Sequence, residues 1–224
     1  MKKTINNLNL VYMIFAVSLV TANCIASKMF NTGLTLFGAP VTLTTGALCY
    51  PVTFLCTDII GEIWGREEAN RSVKFGFVVQ LFATAIIIIA RYMPAVDPTM
   101  QEAYVSLLGQ NWVFVLASLT AYGCSQSWDV FMFHKISGWY IKRYGSTKGG
   151  KWIWNNGSTM TSQLIDSIVY VSVAFGFGFG WFFDPAMRQM LYNMILGQWL
   201  FKALLAALDT PLFYFMTRKA DIYH

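Results

Sequence analysis

Long apolar runs separated by short polar segments dominate this chain. Six of the runs can cross a bilayer, since a helix rises about 1.5 Å per residue and the hydrocarbon core is about 30 Å thick. They cover residues 8–27, 41–64, 72–93, 110–134, 155–182 and 190–216. The pattern predicts an all-α integral membrane protein with six transmembrane helices, in a single transporter domain over residues 1–224.

Three of the segments between the runs contain turn-forming residues. Residues 33–40 are rich in glycine and proline, and Asp97–Pro98 in the stretch 94–110 is a common turn signal. Residues 141–151 are basic and contain Gly149–Gly150. We therefore expect a short connector, a longer loop and a flexible basic loop at these three places.

The second run differs from an ordinary membrane helix. Pro51 has no N–H and its ring clashes with the carbonyl four residues earlier, which predicts a helix broken near this residue. Asp58 and Glu62 lie four residues apart, on one helix face. A carboxylate at the bilayer centre costs about 2.5–3.5 kcal/mol by insertion scales. The run is therefore expected to form one wall of a polar cavity.

Polar side chains also interrupt other runs, and two neighbouring runs share the pattern S-Q-x-x-D. Glutamine and aspartate three residues apart lie on one helix face, so the two helices can present amide and carboxylate groups toward one another. Transporters bind substrate near the bilayer midplane. We therefore expect a midplane binding site formed, together with Asp58 and Glu62, by Asn23, Gln126, Asp129, Gln163, Asp166 and Lys202.

Several of these residues also have structural interpretations. Glu62 can pair with Arg66 one turn away, and Asn23 can simply join two helices by a hydrogen bond. Lys202 can contact substrate or act as a counter-ion for Asp58, Asp129 or Asp166. Between Lys74 and Arg91 near its two ends, the third run carries Gln80 as its single strongly polar residue, so its surface can face lipid or a second copy of the chain in a homodimer.

Composition and charge support a membrane protein. Only 12% of the residues are charged, whereas soluble domains average about 25%. The net charge is +5, but the basic residues lie in short loops, which argues against a nucleic-acid partner. With the N-terminus in the cytosol, 12 of the 16 basic residues fall on the cytosolic side, including Lys2, Lys148, Arg218 and Lys219. We therefore place both termini in the cytosol and the protein in the cytoplasmic (inner) membrane.

The polar residues of this chain are suited to binding a ligand and not to catalysis or metal coordination. The four cysteines lie in apolar segments without metal-ligand spacing, and no catalytic pair or phosphate-binding G-x-x-x-x-G-K-[ST] motif is present, so we expect no metal, no cofactor and no enzyme. Carboxylates beside glutamines match a small planar ligand with neighbouring N–H and C=O groups, such as a guanine edge. Purines, pterins and other vitamins all remain open. Aromatic side chains that could stack on the ligand are Tyr50, Phe54, Trp128, Phe131, Tyr170 and Phe175.

The sequence resembles the queuosine precursor transporter family, whose YhhQ-like members are also known as vitamin uptake transporters. The resemblance extends from Asn23 to Pro211 and rests on the run 50–65, on Gln126-x-x-Asp129 and Gln163-x-x-Asp166, and on Phe201–Lys202. It implies import of 7-deazaguanines for tRNA modification: 7-cyano-7-deazaguanine, 7-aminomethyl-7-deazaguanine or queuine.

Three other functions stay open from the sequence. The chain could be the substrate-binding membrane subunit of an ATP-driven vitamin transporter, which would co-purify with ATPases. It could be an intramembrane enzyme, which would form product when pure. It could also be a structural protein whose polar residues only join helices, in which case no solute would stabilise it.

Overall fold

The computed structural model describes residues 3–36, 39–145 and 151–217, and the side chains of 36, 39, 66, 130, 151–156 and 206–217 are outside that description. The helices are α1 Ile5–Ile25, α2 Tyr50–Trp64, α3 Arg66–Tyr92, α4 Pro98–Leu108, α5 Asn111–Tyr144, α6 Lys151–Val171 and α7 Pro185–Thr217. Two strands, β1 Met29–Leu36 and β2 Ala39–Thr44, pair in a hairpin. Short 3-10 segments cover Thr45–Cys49 and Trp181–Phe183, and a π-helix covers Ser172–Phe177.

Long apolar helices confirm the prediction of an α-helical membrane protein. Within the described residues, five segments are long and apolar enough to cross a bilayer: Ile5–Ile25, Thr45–Trp64, Glu67–Tyr92, Pro98–Tyr144 and Gly157–Phe177. The sixth predicted span corresponds to α7. Six spans and cytosolic termini stay predictions, because Lys2, Lys148, Arg218 and Lys219 lie outside the described residues.

The predicted connector at 33–40 is wrong for its described residues, because 33–36 and 39–40 belong to the two strands. Thr32 Oγ1 donates to the Val41 carbonyl at 2.9 Å, and the Thr45 N–H donates to the Lys28 carbonyl at 2.8 Å, so hydrogen bonds join the two sides of the hairpin near its middle and at its base. Threonine and valine are typical strand residues. Residues 41–44, predicted to begin the second helix, are instead a buried strand.

Pro51 lies at the start of α2 and does not kink a continuous helix. It occupies the first turn, where its missing N–H is not needed for the helix ladder. The Ala47 carbonyl, which the sequence predicted to be freed, accepts the N–H of Tyr50. The predicted break near Pro51 is therefore a change from a 3-10 segment to an α-helix.

The predicted loop at 94–110 is also wrong, since most of it forms α4. The Asp97 carboxylate accepts the N–H of Thr99 at 2.9 Å and caps the helix, and Pro98 follows at the first helical position. The same dipeptide that signals a turn also starts a helix. Beyond it, α5 continues to Tyr144, into the predicted basic loop, whose residues 146–150 lie outside the described residues.

The chain divides into two compact units. The first comprises Met1–Asn31, Leu43–Val115 and Leu204–His224, and the second comprises Thr32–Thr42 and Leu116–Ala203. The prediction of a single transporter domain stays a prediction.

The core of the first unit is an apolar cluster of α1 and α2 residues that α3 also contacts. Val11, Phe15, Cys56 and Ile60 are each at most 6% exposed. On α3, a Cβ at Gly76 would lie only 2.5 Å from the Phe15 ring, so glycine permits this close approach. Gly65, with φ +102°, makes the sharp turn from α2 to α3.

Candidate functional site

A serine–aspartate contact joins α5 and α6 in the second unit. Ser162 Oγ lies 3.2 Å from Asp129 Oδ1 and 3.0 Å from the Thr159 carbonyl. A hydroxyl has one proton, so these two acceptors compete for it. The first residue of one S-Q-x-x-D element thus meets the last residue of the other, whereas the predicted approach of the glutamine amides to the carboxylates stays a prediction.

A buried ion pair joins α6 and α7. Lys202 Nζ contacts Asp166 Oδ2, and the lysine side chain is 1% exposed while that of the aspartate is 28% exposed. Of the three counter-ion partners that the sequence left open for Lys202, the structure therefore provides Asp166. A charge this deep requires a partner, and removing one member of such a pair typically costs about 3–5 kcal/mol.

Two glutamines beside this ion pair have buried amide atoms without a hydrogen-bond partner in the described part of the chain. They are Oε1 of Gln163, one turn before Asp166 on α6, and both Nε2 and Oε1 of Gln198, one turn before Lys202 on α7. A buried polar group left unpaired typically costs about 1–3 kcal/mol. Buried polar groups in native proteins are nearly always paired, so these amides call for an explanation, and a bound ligand is one.

Gln126 and its aromatic neighbours lie on the exposed surface of α5. The rings of Trp128 and Phe131 are tilted with centroids 5.9 Å apart, and Lys135 Nζ lies 5.5 Å from the Phe131 centroid. Stacking surface and positive charge are therefore present on the helix that also carries Asp129.

The other predicted stacking residues are distributed over both units. Tyr50 and Phe54 stack on each other at the start of α2, with centroids 6.0 Å apart. Tyr170 and Phe175 are buried at the end of α6 and in the π-helix that follows. Phe175 packs against Phe179 and Trp181, with centroids at 5.4 and 5.1 Å. Its ring thus belongs to a packed aromatic group.

Asn23 lies in the first unit, in a chain of buried polar side chains. Its Nδ2 donates to Gln80 Oε1 at 3.2 Å and to the Leu19 carbonyl at 3.1 Å. Gln80 Nε2 donates to Thr84 Oγ1 at 3.2 Å, which in turn donates to Asn111 Oδ1 at 3.1 Å. These bonds link α1, α3 and the start of α5, so the structural interpretation of Asn23 is the better supported one.

Asp58 and Glu62 are both exposed on α2, in the first unit. The buried stripe of this helix, including Cys56, Ile59 and Ile63, lies on the opposite side. The alternative pairing of Glu62 with Arg66 stays a prediction, because the Arg66 side chain lies outside the described residues. The two carboxylates remain expected binding residues from the sequence.

Sequence reasoning missed Gln198 and Ser162. Gln198 precedes Lys202 by four residues in a helix that is otherwise apolar at this point, and this spacing places both on one face. That spacing could have identified Gln198. Ser162 is the first residue of the second S-Q-x-x-D element, and only the structure reveals its contact with Asp129.

Known proteins resemble this chain in sequence. No solved structure matches this chain. The chain is 33% identical over 141 residues to the "Probable queuosine precursor transporter" of Bacillus subtilis (strain 168), a match that covers 62% of this chain. It spans only 58% of that relative's length.

A family model described as "Putative vitamin uptake transporter" matches residues 44–216, more than three quarters of the chain. The match includes α2 and all the polar residues of α5, α6 and α7 described above. It agrees with the prediction of a multi-pass membrane transporter and not an enzyme. This chain belongs to the vitamin uptake transporter family.

Proposed function

We propose that this protein imports queuosine precursors, 7-deazaguanines such as 7-cyano-7-deazaguanine, 7-aminomethyl-7-deazaguanine or queuine, across the cytoplasmic membrane. The observation that carries the proposal is the polar cluster of the second unit, where the Asp166–Lys202 pair lies one helical turn from Gln163 and Gln198, whose amides have open atoms. The name of the Bacillus subtilis relative supports the substrate class.

The chemistry of the cluster suits a guanine-type base. Carboxylate oxygens only accept hydrogen bonds, and the ring N–H and exocyclic amine of such a base donate them. The ammonium group of Lys202 only donates, and the ring carbonyl accepts. Asp166 and Lys202 thus supply the two complementary kinds of group within one pair. Glutamine adds both kinds in a neutral side chain.

The second aspartate is held more loosely. Asp129 has a neutral partner, Ser162, whose hydroxyl also reaches the Thr159 carbonyl. A substrate N–H can therefore bond to Asp129 while Ser162 turns to Thr159. We assign Asp129 to direct substrate contact, and Asp166 both to substrate contact and to the charge balance of Lys202.

Transport is expected to need no ATP hydrolysis by this chain, and a gradient or intracellular trapping would drive uptake. The alternative, a substrate-binding subunit of an ATP-driven transporter, is less favoured, because both the family and the relative are described as transporters. Co-purification of this chain with ATPases would favour the ATP-driven alternative.

Uptake of labelled 7-cyano-7-deazaguanine into cells without their own importer tests the proposal. Asp129→Asn should lower uptake per folded molecule at least about tenfold, since hydrogen bonds to charged groups contribute about 1.5–3 kcal/mol. Asp97→Asn is the matched control, because this exposed carboxylate lies outside the apolar segments. Full-rate uptake by Asp129→Asn would refute the role of Asp129, and no uptake by the unaltered protein would refute the substrate.

A further inference from the structure

Gln198 combines two properties that rarely occur together. Its side chain is 1% exposed, and neither Nε2 nor Oε1 has a hydrogen-bond partner among the residues that the structure describes. A primary amide is strongly hydrated in water, so burying it without a partner is unfavourable. A purely structural position would be filled better by an apolar side chain of the same size.

The surroundings of Gln198 point to a ligand. Lys202, on the same face of α7 one turn further, is equally buried and forms the ion pair with Asp166. One turn before Asp166 on α6, Gln163 Oε1 is also buried and unpaired among the described residues. The charged side chains of Asp166 and Lys202 thus pair with each other, whereas the glutamine amides one turn away on the same helices have unpaired atoms.

The open atoms define the chemistry of that ligand. The amide of Gln198 presents one N–H donor and one C=O acceptor side by side. The complementary edge has a carbonyl oxygen next to an N–H, which is a lactam. A guanine-type ring has this edge, and so do pterins and flavins.

We infer that Gln198 is a substrate-binding residue that holds the lactam edge of the transported base by two hydrogen bonds. Nε2 donates to the ring carbonyl and Oε1 accepts from the neighbouring ring N–H, which leaves the exocyclic amine and the N–H of the five-membered ring for the carboxylates. The choice of a 7-deazaguanine as ligand rests on the proposed function. Because the amide is buried, the base reaches it only when the helices open, as alternating access requires.

The test compares two buried glutamines changed to methionine, which has a similar shape and no amide. Gln198→Met should bind 7-cyano-7-deazaguanine about 10- to 100-fold more weakly, the usual effect of losing a bidentate pair. Without ligand, its Tm should equal or exceed that of the unaltered protein, because no bond is lost. Gln80→Met is the matched control, since Gln80 is 2% exposed and bonded to Asn23 and Thr84. It should lower Tm and leave the affinity unchanged.

Ligand affinity is read from thermal stabilisation in detergent, with 7-cyano-7-deazaguanine, guanine, a pterin and riboflavin as probes and adenine as the probe without a lactam. Equal affinity of Gln198→Met and the unaltered protein for 7-cyano-7-deazaguanine would overturn the inference and leave the proposed function standing. Stabilisation by a pterin or riboflavin alone, lost in Gln198→Met, would overturn the substrate and keep the role of Gln198. A lowered Tm or loss of folded protein in Gln198→Met, or stabilisation by none of the lactam probes, would also overturn the inference.

Discussion

A buried polar network in the first unit and a buried amide in the second differ in their hydrogen bonds. In the first unit, Asn23, Gln80, Thr84 and Asn111 bond to one another in sequence, and each bond links helices or helix turns. In the second, the amide of Gln198 is just as deeply buried but has no partner in the described part of the chain. Burial alone therefore does not distinguish a structural polar residue from a binding one. The role proposed for Gln198 rests on the missing hydrogen bonds of its amide together with its place beside the Asp166–Lys202 pair.

The largest effect is expected from the ion pair of the second unit. Asp166→Asn leaves the buried charge of Lys202 without its carboxylate, which should cost about 3–5 kcal/mol of unfolding free energy. The double variant Asp166→Asn/Lys202→Met removes the charge as well and should recover most of that loss. Chemical denaturation in detergent measures both. If the single and double variants are equally unstable, the pair is not the source of the effect.

A smaller effect is expected in the network of the first unit. Gln80→Met leaves the Asn23 amide without one acceptor and Thr84 without one donor, at a cost of about 1–3 kcal/mol. Uptake per folded molecule should stay at the level of the unaltered protein. Impaired uptake with full stability would place Gln80 in the transport path and would erase the contrast between the two units.

The smallest effect is expected where a bonded polar group is exposed. Hydrogen bonds from the Thr99 side chain and N–H lower the pKa of Asp97 below its ordinary value. A carboxyl group whose pKa is lowered by folding stabilises the protein above its ordinary pKa, and this contribution disappears as the pH falls through the lowered value. Asp97→Ala should therefore lower Tm slightly near neutral pH, and the difference should begin to shrink as the pH falls below about 4 and disappear below the lowered pKa. A difference that is independent of pH would mean that the charge plays no part in the cap.

The helices could be predicted from the sequence where hydrophobicity alone decides them. The run 8–27 corresponds to α1 within three residues at each end, and the run 72–93 lies within α3 apart from its last residue, although α3 begins six residues earlier. The hairpin could not be predicted, because residues 41–44 continue an apolar run and the glycine and proline of residues 33–40 indicated a connector in place of paired strands. Nor could α4, because Asp97–Pro98 signals a turn and a helix start equally well.

The sequence indicated which polar residues to consider for the candidate site, but it did not indicate which of them contact each other. Asp129, Asp166 and Lys202 could be selected because charged residues are unusual within apolar runs. The choice of Asp166 as the partner of Lys202 depends on how α6 and α7 pack, which no spacing within one helix reveals. The hydrogen bond of Asn23 was not predictable either, since its partner Gln80 is 57 residues away along the chain.

The unpaired amide of Gln198 has a consequence for laboratory engineering. Membrane proteins are often screened for heat-tolerant variants before biophysical work, and natural sequences commonly leave such gains unused at functional positions. Replacing Gln198 by an apolar residue is a substitution that such a screen would reward. A variant chosen in this way would give a well-behaved sample that no longer recognises its cargo.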